Sequence, residues 1–320
     1  MAIQWPMMMN GEDLVGLDIG ERSVAAVQLR SRPKGQWEVR NAGVMELALG
    51  AADRDVAHAL HTLWRQNRMV CTSVCSCLRS PSLLVRHFKA PSLTDDEIHS
   101  AFRLAAEEAL QMPADQFYLD WHLFGRTGVP APRAKEDPTE GFFVAVPNKE
   151  AQRHLDLLEA AGLHAIILDV GCTAIANLYL MCHGPTQVGA ATCLMNLQDH
   201  CIDLAILNGN NFLYPRSIYL PTETWAQALD KLVENIRHEL KYFEFKLFQH
   251  PVKKMVLMGP AALDRQLTEH LQETLALPVE HWNPLQDPHF EITHAARAVW
   301  QDAALSPHLV ASLGLALRTG

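Results

Sequence analysis

Two meanders of short apolar strands, one near the start of the chain and one in its second half, restrict the fold more than any other feature. The first has strand patterns at 14–19, 23–29 and 37–47. The second has strand patterns at 191–197, 201–207 and 212–219, with Asn208-Gly209 as a hairpin turn. The repetition predicts two related α/β halves and argues against a strand–helix crossover at the start of the chain.

Segments with helical spacing of apolar residues follow these strands. Apolar residues from Val56 to Trp64 predict a helix over 52–67. Further helical or apolar segments are predicted at 172–182, 225–243, 261–274 and 309–317. Short buried strands are predicted at 165–170 and 255–258.

Residues 80–150 carry a pattern of their own. Thr94 and Glu97 form a capping box that opens an alanine-rich helix. Asn148 is expected to cap a helix that ends at Gly162. Strands are predicted at 83–88, 117–124 and 142–146, with a flexible loop at 125–141. The order strand, helix, strand, strand, helix predicts a compact α+β insert.

Composition excludes several classes of protein. The chain has 320 residues, 48% of them apolar, so it can bury real cores. Its formal net charge of −9 gives no general attraction to phosphate backbones, so no nucleic acid partner is expected. No apolar run reaches the roughly 18 residues that a bilayer span requires, and the first residues do not read as a signal peptide.

The cysteines and histidines do not predict a metal centre. Seven cysteines suit a reducing compartment. Cys71, Cys75 and Cys77 are expected to share one face of a strand, and we interpret them as core residues. The 16 histidines are scattered without the paired spacing of metal ligands.

The sharpest local signal is Asp18-Ile19-Gly20, with Ser23 after it. An aspartate that ends a buried strand can hold hydrated Mg²⁺. A glycine two residues on permits a tight turn whose N–H groups face a phosphate. The alternative is an ordinary hairpin. A second candidate is Gly259, which ends an apolar strand before a helix, a junction that can admit a nucleotide or be an ordinary turn.

Four stretches, taken in their order and spacing, carry a resemblance to a known family. They are 15–24, 91–98 followed by 107–109 and 117–120, 167–170, and the ending 312–318. Together they resemble the actin-like ATPase superfamily, and more narrowly the PilM family of type IV pilus assembly proteins. The resemblance implies an α/β, actin-like ATPase fold of two related, ribonuclease H-like lobes, with an inserted α+β subdomain in the first lobe, as in FtsA.

The resemblance also implies a cleft for ATP and Mg²⁺ between the lobes. Asp18 would face the metal, and Gly20, Arg22 and Ser23 the phosphates. Asn196 would stand in the second phosphate motif, Gly259 near the base and ribose, and Arg237 and Lys241 on the adenosine side. Asp169 would lie near the catalytic water.

The second half departs from the family pattern. Asn196-Leu197-Gln198 stands where Asp-x-Gly is usual, and Leu220-Pro221 replaces a glycine pair. Gly259-Pro260 replaces a second glycine pair, and proline removes a backbone donor. Ala25 stands where a basic residue is frequent. We therefore expect weak or absent ATP hydrolysis.

By the same resemblance, the chain is a cytoplasmic scaffold that reaches the inner membrane only through a partner. It would bind the N-terminal cytoplasmic tail of a PilN-like inner-membrane protein between the first subdomain and the insert. The residues expected near that groove are Leu83, Val85, His87, Phe88, Ile98 and Phe102, for which plain core packing is the alternative. A competence or secretion system is an equivalent setting, and weak self-association stays open.

Three other functions are weighed. An active actin-like ATPase or a sugar or acetate kinase needs an intact second phosphate motif, which Asn196-Leu197-Gln198 does not provide. A polymerising protein of the FtsA kind carries a C-terminal amphipathic anchor, which is not expected here, and the apolar stretch at 5–9 is too short to replace it. The related secretion protein GspL continues into a membrane span, which is not expected either.

These interpretations divide the chain into five parts. The first lobe is expected at 11–79 and 164–189, the insert at 80–163, the second lobe at 190–304, and a C-terminal segment that returns to the first lobe at 305–320.

Overall fold

The two meanders and the helices after them are present in the computed structural model, which describes residues 13–124, 138–198, 201–219, 225–248 and 251–318. The strands are β1 (Asp13–Ile19), β2 (Ser23–Arg32), β3 (Gln36–Glu46), β4 (Ser73–Cys77), β5 (Leu84–Ala90), β6 (Phe117–Leu123), β7 (Thr139–Pro147), β8 (His164–Asp169), β9 (Ala191–Leu197), β10 (Cys201–Asn208), β11 (Asn211–Tyr219), β12 (Val252–Met258), β13 (Val279–His281) and β14 (Phe290–Ile292). The helices are α1 (Asp53–Gln66), α2 (Asp95–Leu110), α3 (Asn148–Ala160), α4 (Gly171–His183), α5 (Trp225–Tyr242), α6 (Arg265–Leu275), α7 (His294–Gln301) and α8 (Leu309–Ala316).

Three of our expectations concern residues outside the described ranges. They are the apolar stretch at 5–9, most of the loop at 125–141, and Leu220-Pro221.

The two large sheets share one strand order. In the first, β3, β2 and β1 form the antiparallel meander, and β4 and β8 add in parallel beside β1. In the second, β11, β10 and β9 form the meander, and β12 and β13 add in parallel beside β9. The predicted actin-like fold of two related lobes is confirmed.

The inserted residues form a third sheet, with the order β5-β7-β6. The predicted capping box at Thr94 and Glu97 opens α2. Phe102, with no exposed surface, anchors an aromatic core between α2 and this sheet. Asn148 is the first residue of α3 rather than its cap, because Pro147 holds the capping position, and the Asn148 amide donates to the carbonyl of Asp115 at 2.8 Å.

Two elements near the chain end pack on the first lobe. α8 lies against β1 and α4, and it is buried along its whole length. β14 pairs in parallel with β3, and α7 packs on the same strand. We expected residues up to 304 in the second lobe, so for β14 and α7 that expectation is wrong. Short strands pair wherever an open edge is near, which the sequence pattern does not specify.

The cysteines are free thiols, as expected for a reduced protein. Cys75 and Cys77 point into one buried cluster, whereas Cys71 lies before β4 and packs with the core under α1. Our expectation that all three share one strand face is therefore wrong for Cys71. Within the described ranges no helix is long and apolar enough to cross a bilayer.

Candidate functional site

The site lies where the carboxyl ends of the central strands of both lobes meet. Asp18, near the end of β1, is in register with Cys77 of β4, which is in register with Asp169 of β8. In the second lobe, Asn196 of β9 is in register with Asp203 of β10. Open α/β sheets bind ligands at such strand ends, because loops and helix N-termini converge there.

Arg79, just after β4, lies between these residues of the first lobe and those of the second. Its Nε donates to Asp18 Oδ1 at 2.7 Å, and its Nη2 donates to Asp18 Oδ2 at 3.1 Å and to Asp203 Oδ2 at 3.0 Å. Gln198 Nε2 from the second lobe donates to Asp18 Oδ2 at 3.2 Å. Asp18 itself is 3% exposed. The carboxylate that we predicted as a metal ligand is therefore held by a guanidinium and an amide.

Asp203 is the residue of the site that our sequence reasoning missed. It is 1% exposed and also accepts from Ser217 Oγ at 3.1 Å and from Asn196 Nδ2 at 3.5 Å. A Cβ at Gly171, the first residue of α4, would lie 2.1 Å from its Oδ2, so the positive end of that helix abuts the carboxylate. The sequence signal that could have identified it is a single acidic residue in a strand that is otherwise apolar.

The neighbouring carboxylates stabilise the buried charge of Arg79. Burial disfavours the charged guanidinium of Arg79, but the carboxylates of Asp18 and Asp203 raise its pKa well above the ordinary value. A buried ion pair is costly to break from one side, since the remaining charge is left without a partner.

Two of the groups that we predicted as phosphate donors in the turn after β1 already have partners within the protein. The Gly20 N–H donates to the Ser23 carbonyl at 2.9 Å within the hairpin. Ser23 Oγ lies 3.2 Å from His308 Nδ1, and the Ser23 residue is buried. Arg22 is exposed at the tip of the turn. Our expectation that Gly20 and Ser23 face a phosphate does not match these contacts, because the hairpin and the C-terminal segment use both groups.

Asp169 acts as a local anchor in this arrangement. Its Oδ1 accepts from the Val170 N–H at 2.8 Å and from the Thr173 hydroxyl, and its Oδ2 lies 2.8 Å from Arg318 Nε. The carboxylate thus contacts both the start of α4 and the C-terminal segment. It is not placed as the free base that we expected near a catalytic water.

Gly259 is close to the second lobe's own backbone. It has a φ of +90°, and a Cβ there would lie 2.4 Å from Asn196 Oδ1 and 2.8 Å from the Leu197 carbonyl. Glycine is required at this position by that approach. Gly259 thus packs on β9 of its own lobe, and its place near a base and ribose stays a prediction.

Arg237 and Lys241, predicted on the adenosine side, are not brought to Asp18. Arg237 donates to Glu234 at 2.6 Å and to the Thr274 carbonyl at 3.1 Å, which ties α5 to the end of α6. Lys241 is exposed on α5.

The arrangement does not fit a Mg²⁺ ion at Asp18. A magnesium ligand needs a free oxygen lone pair and room for bound waters. Both Asp18 oxygens already accept from cationic or amide donors, and Arg79 fills the adjoining space. No cluster of three or more histidine, cysteine or acidic side chains suited to a metal occurs among the described residues.

A cavity of about 460 Å³ opens beside this network, with walls from the first lobe, from α3 and from Gln198, Cys201 and Tyr219 of the second lobe. Its walls include the turn at 20–23, the start of α1, and Glu150, Arg153 and His154 of α3. Arg153 and Asp53 form an exposed ion pair from α3 to α1 at 2.7 Å. Apolar side chains of the same walls include Leu49, Val56 and Leu157. The cavity therefore offers apolar surface between charged groups of both signs.

The residues that we expected to bind a partner pack elsewhere. Val85, Ile98 and Phe102 are at most 4% exposed. Phe88 stacks near Phe102, with ring centroids 4.4 Å apart, and His87 Nε2 lies 3.0 Å from Glu140. Leu83 packs against the buried clusters beside it. Val85, Ile98 and Phe102 are core residues, so the expectation that they line an open groove is wrong. Leu83, His87 and Phe88 are partly exposed, and their place at a partner groove stays a prediction.

Comparison with known proteins places the fold. The chain matches a solved structure described as a PilM-PilN type IV pilus biogenesis complex with a TM-score of 0.80 and 18% identity, over 96% of this chain and 98% of that one. It matches a Bacteroides thetaiotaomicron protein of actin-like ATPase fold and unknown function with a TM-score of 0.53 and 8% identity, over 86% and 92% of the two chains. No curated protein sequence matches.

The sequence itself carries a family assignment as well. The family model described as type IV pilus assembly protein PilM matches residues 16–229, which is more than half of the chain. The chain therefore belongs to the PilM family of type IV pilus assembly proteins.

Proposed function

We propose that this PilM-family protein is a cytoplasmic scaffold that holds the N-terminal tail of a PilN-like inner-membrane protein in the cavity that the first lobe, α3 and the second lobe line together. The observation that carries the proposal is the cavity itself, bounded by α1, α3 and the turn at 20–23. Its volume of about 460 Å³ is in the range of sites that bury a few side chains. The same machinery serves a type IV pilus or a related competence or secretion system.

The chemistry of the walls favours an extended peptide with apolar and charged side chains. Leu157 and Val56 offer apolar contact, and Arg153, Asp53 and Glu150 surround them with charge. A peptide carboxylate would compete for Arg153, whose side chain is 63% exposed, and a basic side chain would pair with Asp53. Binding such a partner would bring the protein to the inner membrane.

We also propose that the nucleotide site is degenerate. Arg79 and Gln198 both donate hydrogen bonds to Asp18. Gly259 packs on Asn196, and Pro260 has no backbone N–H to donate. The alternative is an active ATPase or a sugar or acetate kinase. The actin-like cleft supports this alternative. It would require Arg79 to leave Asp18 when nucleotide arrives.

The tail proposal is tested by binding of a labelled PilN tail peptide, measured by fluorescence anisotropy. Arg153→Glu should weaken binding about ten- to hundredfold, because a charge-assisted hydrogen bond contributes roughly 1.5–3 kcal/mol. Loss of its exposed pair with Asp53 should cost the fold at most about 1 kcal/mol.

Arg32→Glu is the matched control, since Arg32 is also exposed and paired, with Glu38, but lies at the opposite end of β2 from the turn at 20–23. This control should bind like the unchanged protein. Failure of the unchanged protein to bind any tail peptide, or equal binding by Arg153→Glu, would contradict the proposal.

A further inference from the structure

Arg79 has an unusual position for a side chain of its charge. Its side chain is 10% exposed and lies between carboxylates that are 1% and 4% exposed. One nitrogen, Nη2, is within hydrogen-bonding distance of Asp18 Oδ2 and Asp203 Oδ2 at once. The two carboxylates therefore share the positive charge of one guanidinium.

The contact joins the two lobes. Arg79 and Asp18 belong to the first sheet and its loops, whereas Asp203 lies in the second sheet. Gln198 adds a second link from the other lobe to Asp18. Without the guanidinium, two buried carboxylates would face each other with only neutral donors and the start of α4 to offset their charge.

We propose that the guanidinium of Arg79 is a built-in substitute for a bound cation: it neutralises Asp18 and Asp203 and holds the lobes closed, so closure needs neither metal nor nucleotide. The corollary is that removal of this one charge turns the carboxylate pair into a site for a divalent cation. Oxygen ligands of this kind suit Mg²⁺ and Mn²⁺. This inference rests on the actin-like fold and on the contacts of Arg79, and it is independent of tail binding.

The test compares the full chain with Arg79→Met, which keeps the length of the side chain and removes its charge. The unchanged protein should show no change in melting temperature with millimolar Mg²⁺ or Mn²⁺. Arg79→Met should melt lower without divalent cations and should regain roughly 5 °C when the cation exceeds its dissociation constant about a hundredfold. Mn²⁺ titration followed by electron paramagnetic resonance should show one bound ion per chain in this variant.

Two further variants isolate the site. Arg79→Met with Asp203→Asn should lose the response to divalent cations, because one of the two carboxylates is neutral. Arg32→Met removes an arginine from a different, exposed ion pair with Glu38 and should gain no response.

The proposal fails if Arg79→Met refolds and melts no differently with Mn²⁺ than without it. It also fails if the unchanged protein binds a stoichiometric Mn²⁺ ion that Asp18→Asn removes. Binding of the tail peptide, measured in parallel, separates this outcome from failure of the scaffold function.

Discussion

The buried environment of His154 in the cavity wall makes the stability of the protein depend on pH. It lies in the cavity wall, and its Nε2 is 2.8 Å from Ser76 Oγ, which is fully buried. Burial lowers the pKa of His154 from 6.5 to about 4, although Asp18 opposes the shift. In the folded state this imidazole is therefore neutral where an unfolded chain would already bind a proton.

The sign of the resulting pH dependence follows from linkage. Between about pH 6.5 and 4 the unfolded state binds more protons, so the free energy of unfolding falls as the pH is lowered, by up to about 1.4 kcal/mol per pH unit for one such group. We expect His154→Gln to reduce the loss of stability between about pH 7 and pH 5. Urea denaturation at both values measures it.

His58→Gln is the control, because His58 is exposed on α1. It should leave the acid sensitivity unchanged. An equal loss of stability in His154→Gln and in the unchanged protein would show that His154 has the same pKa in the folded and unfolded states.

At the scale of elements, α8 shows how closely helix and sheet approach in the first lobe. A Cβ at Gly16 of β1 would lie 1.9 Å from the Ser312 carbonyl, and one at Gly314 would lie 2.3 Å from the Ala174 carbonyl of α4. The two glycines let α8 lie directly on β1 and α4. The neighbouring atoms are backbone, which cannot rotate away.

Gly314→Ala should therefore lower the free energy of unfolding by about 2 kcal/mol or more, because the added methyl group has no room. Chemical denaturation measures this change. Ala303→Ser adds one atom at an exposed position shortly before α8 and should change the stability little. A Gly314→Ala variant as stable as this control would contradict the tight packing.

At the scale of the whole molecule, the ion network around Arg79 holds the two lobes together through side chains of the protein itself. Arg79 reaches a first-lobe carboxylate 61 residues away in sequence and a second-lobe carboxylate 124 residues away. Arg216 of β11 also donates to the Val85 carbonyl of β5 at 3.4 Å, which links the second lobe to the insert. Both contacts are made between side chains and backbone of the chain itself.

We therefore expect Mg²⁺ and ATP to leave the sedimentation coefficient of the protein unchanged, with no phosphate released above the level of Asp18→Asn. Analytical ultracentrifugation and a phosphate assay test the two parts. Polymers that form only with nucleotide, or turnover that Asp18→Asn abolishes, would favour an active ATPase.

The local sequence pattern was sufficient to predict most of the helices and strands. Short apolar runs separated by a turn predict β1, β2 and β3, and the Asn208-Gly209 turn predicts the second hairpin, because strand burial and turn chemistry are local properties. The expected groove at Val85, Ile98 and Phe102 failed for a related reason. An apolar residue looks the same in sequence whether it faces a partner or a core.

By itself, the sequence determined the duplicated meanders, the insert and the family, since each depends on the order of residues along the chain. Only the tertiary structure decided that Asp18 is held by Arg79, that Asp203 shares the same guanidinium, and that β14 joins the first sheet. The physical reason is that a buried charge takes whichever opposite charge the packed lobes bring to it. That choice depends on how two sheets meet in space.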